Sequence, residues 1–193
     1  QLVPAVHVGE ERMRVQQFVQ GLPLGIGQDG EVGGDVDLAG GGQDGGVGFG
    51  AAGEFLDATL PPQAWIAICN AGAIPYYADR RTIDMLGLND RHIGTLEVKP
   101  NESGVIGHRK GDGGYVLDRE PDAILFMRIE VGPSLVEAHD RDEIVFDNLF
   151  GTSEREIYAD PRFREHYRLR SDLLDPSIGY LNWFQRVPRR RPR

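Results

Sequence analysis

From Gly53 onward, hydrophobic and polar positions are grouped in the manner of a globular α/β chain. Glu54–Thr59 (EFLDAT) reads as a short amphipathic helix, closed by Pro61 and Pro62. Trp65–Cys69 (WIAIC) is an unbroken apolar run of strand length, the pattern of a buried strand. Ala71–Tyr77 reads as a turn and a helical start, and Thr82–Leu86 as a second strand ending at Gly87. A polar segment follows to Asp112. Gly113–Asp118 fits helix or strand, and Asp122–Ile129 reads as a third strand. Ile144–Phe150 is expected to be extended and Pro161–His166 to make a helical turn. Tyr167–Leu173 and Ile178–Val187 are expected to pair antiparallel around Asp175-Pro176-Ser177. Helices alternating with strands predict an α/β fold: a small three-layer domain over 54–187, with a mostly parallel sheet and a C-terminal antiparallel pair.

The first 53 residues follow other rules. Residues 21–53 are glycine-rich, contain no Lys or Arg, and show neither a helical nor a strand period. Such a composition buries too little apolar surface to offset the entropy of ordering glycine, so residues 1–53 are expected to be a disordered leader. Within it, Glu10–Gln20 could form one short helix, too short to persist without a packing partner. Two G-x-G-x-x-G matches fall here: Gly25, Gly27, Gly30 and Gly48, Gly50, Gly53. Neither follows a buried strand, so neither is read as a dinucleotide loop. The Gly, Val, Asp and Ala bias is also what GC-rich DNA gives when read in a wrong frame.

Charge and cysteine content narrow the function classes. A formal charge of −9 argues against a general nucleic-acid binder, which needs clustered Lys and Arg. The exception is Arg186–Arg193 (RVPRRRPR), whose last six residues, 188–193, form a basic tail. The single cysteine, Cys69, excludes an internal disulfide and reads as a buried, inert thiol. No apolar run of about 18 residues exists that could span a membrane. The N-terminus has no basic start followed by an apolar core, so it does not read as a signal peptide.

Chemistry concentrates between Ala71 and Asp112. Tyr76, Tyr77, Asp84, Asn89, Asp90, Arg91, His92, His108, Lys110 and Asp112 are the candidate ligand-binding residues. Asp84 ends an apolar strand, where parallel sheets present ligand-binding groups. With Asp90, His92, His108 and Asp112 it could build a metal site, although no H-x-x-x-H, H-x-H or C-x-x-C spacing supports one. The alternative is that Asp84 and Asp90 cap turns or a helix. Gly107–Asp112 is a glycine-flanked basic loop suited to phosphate or sugar phosphate, or simply exposed. Tyr76 and Tyr77 could stack on a sugar ring or pack a helix start. His139 and His166 read as solvent-exposed.

Three stretches carry a resemblance: GAIPYYADRRTIDMLGLNDRHIG, GHRKGDGGYVLDREPDAILF and ADPRFREHYRLRS. They resemble the C-terminal soluble domain of bacterial polytopic membrane glycosyltransferases that use polyprenyl-phosphate sugars, including arabinofuranosyl- and mannosyltransferase-like proteins. The resemblance spans roughly Phe55 to Val187. Its most specific parts are Asp84 with Leu86–His92, and Gly107-His108 with Lys110-Gly111-Asp112. It implies an accessory extracytoplasmic domain, facing the periplasm, that binds glycan or a polyprenyl-phosphate-linked sugar beside a membrane catalytic core. It implies no catalytic residue, no metal and no cofactor in this chain, which alone should not transfer sugar. In that class many membrane helices precede the domain, and the first quarter of this chain departs from that pattern. Two other readings stand beside it: a metal-dependent α/β hydrolase or phosphatase, and a carbohydrate-binding module.

Overall fold

The computed structural model describes residues 43–99, 108–136, 139 and 149–187, together with two short backbone segments, Met13–Arg14 and Ile144–Val145. Met13–Arg14 (β1) pairs in parallel with Ile144–Val145 (β6); the other residues of the stretch Glu10–Gln20, where a helix was expected, lie outside the described residues. The rest of residues 1–42, including the glycine triplet Gly25, Gly27, Gly30, and the basic tail 188–193 lie outside the described residues.

The domain is a mixed α/β sheet of six strands with helices against both faces. Its elements are α1 (Gln43–Thr59), β2 (Trp65–Ile68), α2 (Ala73–Ala78), β3 (Arg81–Asp84), α3 (Arg91–Thr95), α4 (Gly113–Asp118), β4 (Ala123–Leu125), β5 (Val131–Gly132), α5 (Thr152–Ala159), α6 (Pro161–His166), β7 (Tyr167–Asp175) and β8 (Gly179–Arg186). The path runs β3-β2-β4-β8-β5, with β7 on the other edge of β8. Only β3-β2-β4 are parallel; β8 is antiparallel to β4, β5 and β7. The expected parallel pairing is confined to that end of the sheet, and the expected C-terminal antiparallel pair is β7–β8. The third strand stops at Leu125 instead of running to Ile129, because the chain turns over Met127–Ile129 with Arg128 at a φ of 75°.

Strand alternation explains the two cores. Ile66, Ile68, Ala123, Leu125, Leu181 and Trp183 face Leu56 of α1 and Ile74 of α2. Ala67, Cys69, Ile124, Phe126 and Phe184 face Ile93, Val116, Ile157 and Phe163 on α3 to α6.

The helix expected over Glu54–Thr59 begins instead at Gln43 and runs through the composition break at Gly53. Its stability comes from packing, not propensity. A Cβ at Gly53 would lie 2.7 Å from both the Ile74 carbonyl oxygen and the Tyr77 Cβ, so glycine is what lets α1 sit directly on α2. The triplet Gly48, Gly50, Gly53 is thus helical and cradles no phosphate.

Candidate functional site

The parallel strands end on one side of the sheet, and the chain leaves β2 toward β3 on one flank while β4 lies on the other. This is a topological switch point, where open α/β sheets form their crevice. The segment after β3 and the loop before α4 meet each other through Asp90, His92, Asp112 and Tyr115.

Asp90 and Asp112 are the joints. Asp90 caps α3 through Oδ1, which accepts from the Ile93 N–H at 3.1 Å. Asp112 caps α4 through Oδ1, which accepts from the Tyr115 N–H at 2.8 Å. Each carboxylate then uses its second oxygen to reach the other segment. The Tyr115 hydroxyl donates to Asp90 Oδ2 at 3.0 Å, and His92 Nε2 lies 2.9 Å from Asp112 Oδ2. The His92 ring stacks on Tyr115 with centroids 4.1 Å apart. Arg119 donates to the Tyr115 hydroxyl at 3.2 Å and covers the Trp65 ring at 4.3 Å. The capping reading of Asp90 and the ligand-surface reading thus describe the same residue.

These contacts set the protonation preferences. Partial burial pushes Asp112 up, but the bonds from His92 and the Tyr115 N–H outweigh it and hold the carboxyl below its ordinary value. Burial, then the bond to Asp90, push the Tyr115 phenol up, so it stays a donor at neutral pH. The result is a half-exposed shelf of imidazole, carboxylates, phenol and guanidinium with fixed orientations.

Other predicted residues sit elsewhere. Asp84 is buried; Oδ1 accepts from the Leu86 and Gly87 N–H groups and Oδ2 from that of Asn89. Instead of pointing into the crevice, it ties down the loop that carries Asp90–His92. Asn89 and Arg91 are exposed on that loop. Lys110 donates its ammonium to the Gly94 carbonyl at 2.5 Å, and His108 packs its ring edge-on against Phe150. The basic loop is therefore turned toward the protein, and its glycine has a packing role. A Cβ at Gly111 would lie 2.4 Å from the Ser153 nitrogen. Tyr76 and Tyr77 form an exposed edge-to-face pair on α2, against the α1 side of the sheet, apart from the His92 shelf. Among the described residues no group of three or more His, Cys, Asp or Glu could hold a metal ion, which removes the geometric basis for the Asp84–Asp90–His92–His108 metal centre.

The sequence reading missed the residues that organise this side of the sheet. Gly151–Glu154 begins helix α5, and three of its four residues reach out. Ser153 Oγ donates to the Met85 carbonyl at 2.9 Å and accepts from the Asp112 N–H at 3.0 Å. Thr152 Oγ1 donates to the Arg109 carbonyl. Glu154, fully buried, accepts from the Gly151 N–H at 2.9 Å and from the Met127 N–H at 2.5 Å. Burial pushes Glu154 up despite those bonds, and burial followed by the Glu154 charge pushes the Cys69 thiol well up. Cys69 is thus a protonated core thiol, as expected. The signal for this helix was Glu154 three residues after Gly151, the spacing at which a side chain returns to its own helix start.

A second concavity lies at the opposite end of β4. It has a volume of about 570 Å³ and is lined by Asp118, Glu120, Asp122, Arg162, His166 and Arg186 over a floor of Leu117, Tyr167 and Val187. His166, expected on the open surface, is half-buried in this wall.

The family described as Domain of unknown function (DUF8728) matches residues 40–188, more than three-quarters of the chain. The chain belongs to this family. The match begins just before α1, at Gln43, and so takes in the helical part of the glycine-rich stretch. No curated protein and no solved structure matches the chain. Among the described residues no helix is long and apolar enough to cross a membrane.

Proposed function

We propose that this is a non-catalytic glycan-binding accessory domain, of the kind the sequence resembles at the end of polyprenyl-phosphate-sugar glycosyltransferases, acting at the extracytoplasmic face. One observation carries the reading. The two segments with the most specific resemblance, Leu86–His92 and His108–Asp112, converge on one shelf, with His92 and Asp112 in contact at 2.9 Å. The shelf offers what a sugar hydroxyl needs, which is one acceptor and up to two donors in fixed positions. Its carboxylates Asp90 and Asp112 make it a poor place for phosphate, so the glycan part of the ligand belongs here and the lipid phosphate does not.

Calorimetric titration of the purified chain with an α-linked mannose or arabinofuranose disaccharide is expected to show weak, saturable binding. His92→Ala should weaken it roughly tenfold, about 1.4 kcal/mol, with only a small drop in melting temperature, because His92 is exposed and its bond to Asp112 is a surface one. Sugar transfer or hydrolysis by the purified chain would contradict the non-catalytic reading, as would identical binding by wild type and variant.

A further inference from the structure

We propose that the pocket at the N-terminal end of β4 is a second saccharide subsite, which takes a neutral sugar ring through Asp118, Glu120, Asp122, Arg162 and Arg186. The choice of ligand class rests on the glycan reading above; the site itself is separate from the His92 shelf and lies beyond the C-terminal end of α4.

The volume of about 570 Å³ falls inside the range of roughly 300–1,000 Å³ typical of small-molecule pockets. Its wall is a set of charged groups held in place by one another. Arg162 donates to Asp118 Oδ1 at 2.6 Å and to Asp160 Oδ2 at 2.8 Å. Arg186 donates to Glu120 Oε2 at 2.9 Å and to Asp122 Oδ1 at 3.1 Å. Asp122 also accepts from the Trp65 N–H through Oδ2, so this carboxylate is anchored to β2 as well. Each guanidinium therefore bridges two carboxylates, which favours one arrangement of the wall.

That arrangement selects the ligand. A phosphate or carboxylate would add negative charge to a wall where three carboxylates already face two guanidiniums, and would be repelled by them. A neutral polyol adds no charge. A guanidinium carries five N–H donors and a carboxylate about four acceptor positions, so both keep capacity after pairing. Donor and acceptor then alternate along the wall, and a vicinal diol, which donates and accepts at each oxygen, matches that alternation. The floor of Leu117, Tyr167 and Val187 supplies the apolar surface against which the C–H face of a sugar ring packs. The Tyr167 hydroxyl is already spent on the Pro121 carbonyl at 3.0 Å, which leaves the floor apolar.

The test is amide chemical-shift mapping on the full chain, with methyl α-mannopyranoside, methyl α-arabinofuranoside and inorganic phosphate as probes. The expected result is saturable shifts from a sugar at Leu117–Asp122, His166–Tyr167 and Arg186, none there from phosphate, and affinity lowered at least tenfold at these amides by Arg162→Ala. Asp118→Asn, at an exposed side chain, is the second variant and should weaken the same sites without unfolding. Sugar shifts confined to His92–Tyr115 would overturn the subsite and leave the proposed function standing. Shifts at the pocket from phosphate but not from sugar would overturn the neutral ligand. No shift from any probe would overturn both readings.

Discussion

Replacing Glu130 with glutamine is expected to stabilise the protein at neutral and alkaline pH and to flatten its stability profile. Glu130 is 2% exposed, its Oε1 has no partner among the described residues, and its backbone is fixed by Asn182, whose N–H donates to the Glu130 carbonyl at 2.7 Å. Burial pushes its pKa from the ordinary 4.5 to about 8. Neighbouring backbone N–H groups pull it down, and the Glu154 charge adds a further upward push. Between those two values the folded protein holds a proton that the unfolded chain has released. Stability is therefore intact below pH 4.5 and is lost as pH rises through about 8, at up to about 1.4 kcal/mol per pH unit. The cumulative loss is on the order of a few kcal/mol, a large fraction of a typical domain's stability. Glutamine keeps the shape and removes the titration. Urea unfolding at pH 5, 7 and 9 should show the wild type weakening steadily while Glu130→Gln weakens distinctly less, the remaining slope coming from Glu154. Parallel profiles would mean that Glu130 is ionised in the fold, with a partner that keeps its pKa near normal.

Gly111→Ala should be severely destabilising. The new Cβ would stand 2.4 Å from the Ser153 nitrogen, 2.7 Å from the Thr152 Cβ and 2.8 Å from the Ser153 Oγ. Backbone is the first obstacle, so no rotamer change relieves it; α5 must move away from the loop. That movement also strains the Ser153 bonds to Met85 and Asp112. A loss of about 3 kcal/mol is expected, at the upper end for overpacking, with the melting temperature lowered by roughly 10 °C. Gly132→Ala is the matched control, because a Cβ there meets nothing within 4 Å. Melting curves for the two variants should separate clearly; near-identical curves would show that the Gly111–Ser153 approach is looser than described.

The parts of the fold legible in the sequence are those whose stability is local or strongly apolar. WIAIC announces β2 because a fully buried strand needs no alternation. The β7–β8 hairpin is legible because Asp175 and Ser177 make the turn themselves: Asp175 Oδ1 accepts from both the Ser177 N–H and its hydroxyl. The first part of helix α1, residues 43–53, was not legible, since its glycines are poor helix formers and their value lies in contacts with α2 that are remote in the chain. Helix α5 was not legible for the opposite reason: three of its inward residues, Thr152, Ser153 and Glu154, are polar and buried. Apolar periodicity cannot find a helix whose inner face is made of hydrogen bonds.

The candidate site was half legible. Residue types singled out Asp90, His92 and Asp112, and the structure brings His92 against Asp112 across 20 residues of chain. Tyr115 and Arg119, which complete the shelf, carried no motif and emerged only when α4 was placed against α3. Tyr76 and Tyr77 were grouped with them by proximity in sequence. The strand between, β3, carries the chain to another part of the surface. The pocket by Arg162 and Arg186 was invisible, because its walls come from α4, α6 and β8 together.

In the proposed function His92 and Asp112, from two separate segments, act on a glycan as one unit. A double-mutant cycle on disaccharide affinity with His92→Ala, Asp112→Asn and the double variant tests it most directly. Residues in contact that share a ligand should be coupled by about 1 kcal/mol, so the double variant should bind about as weakly as the worse single one. Fully additive losses, or undiminished binding in all three variants, would contradict the account.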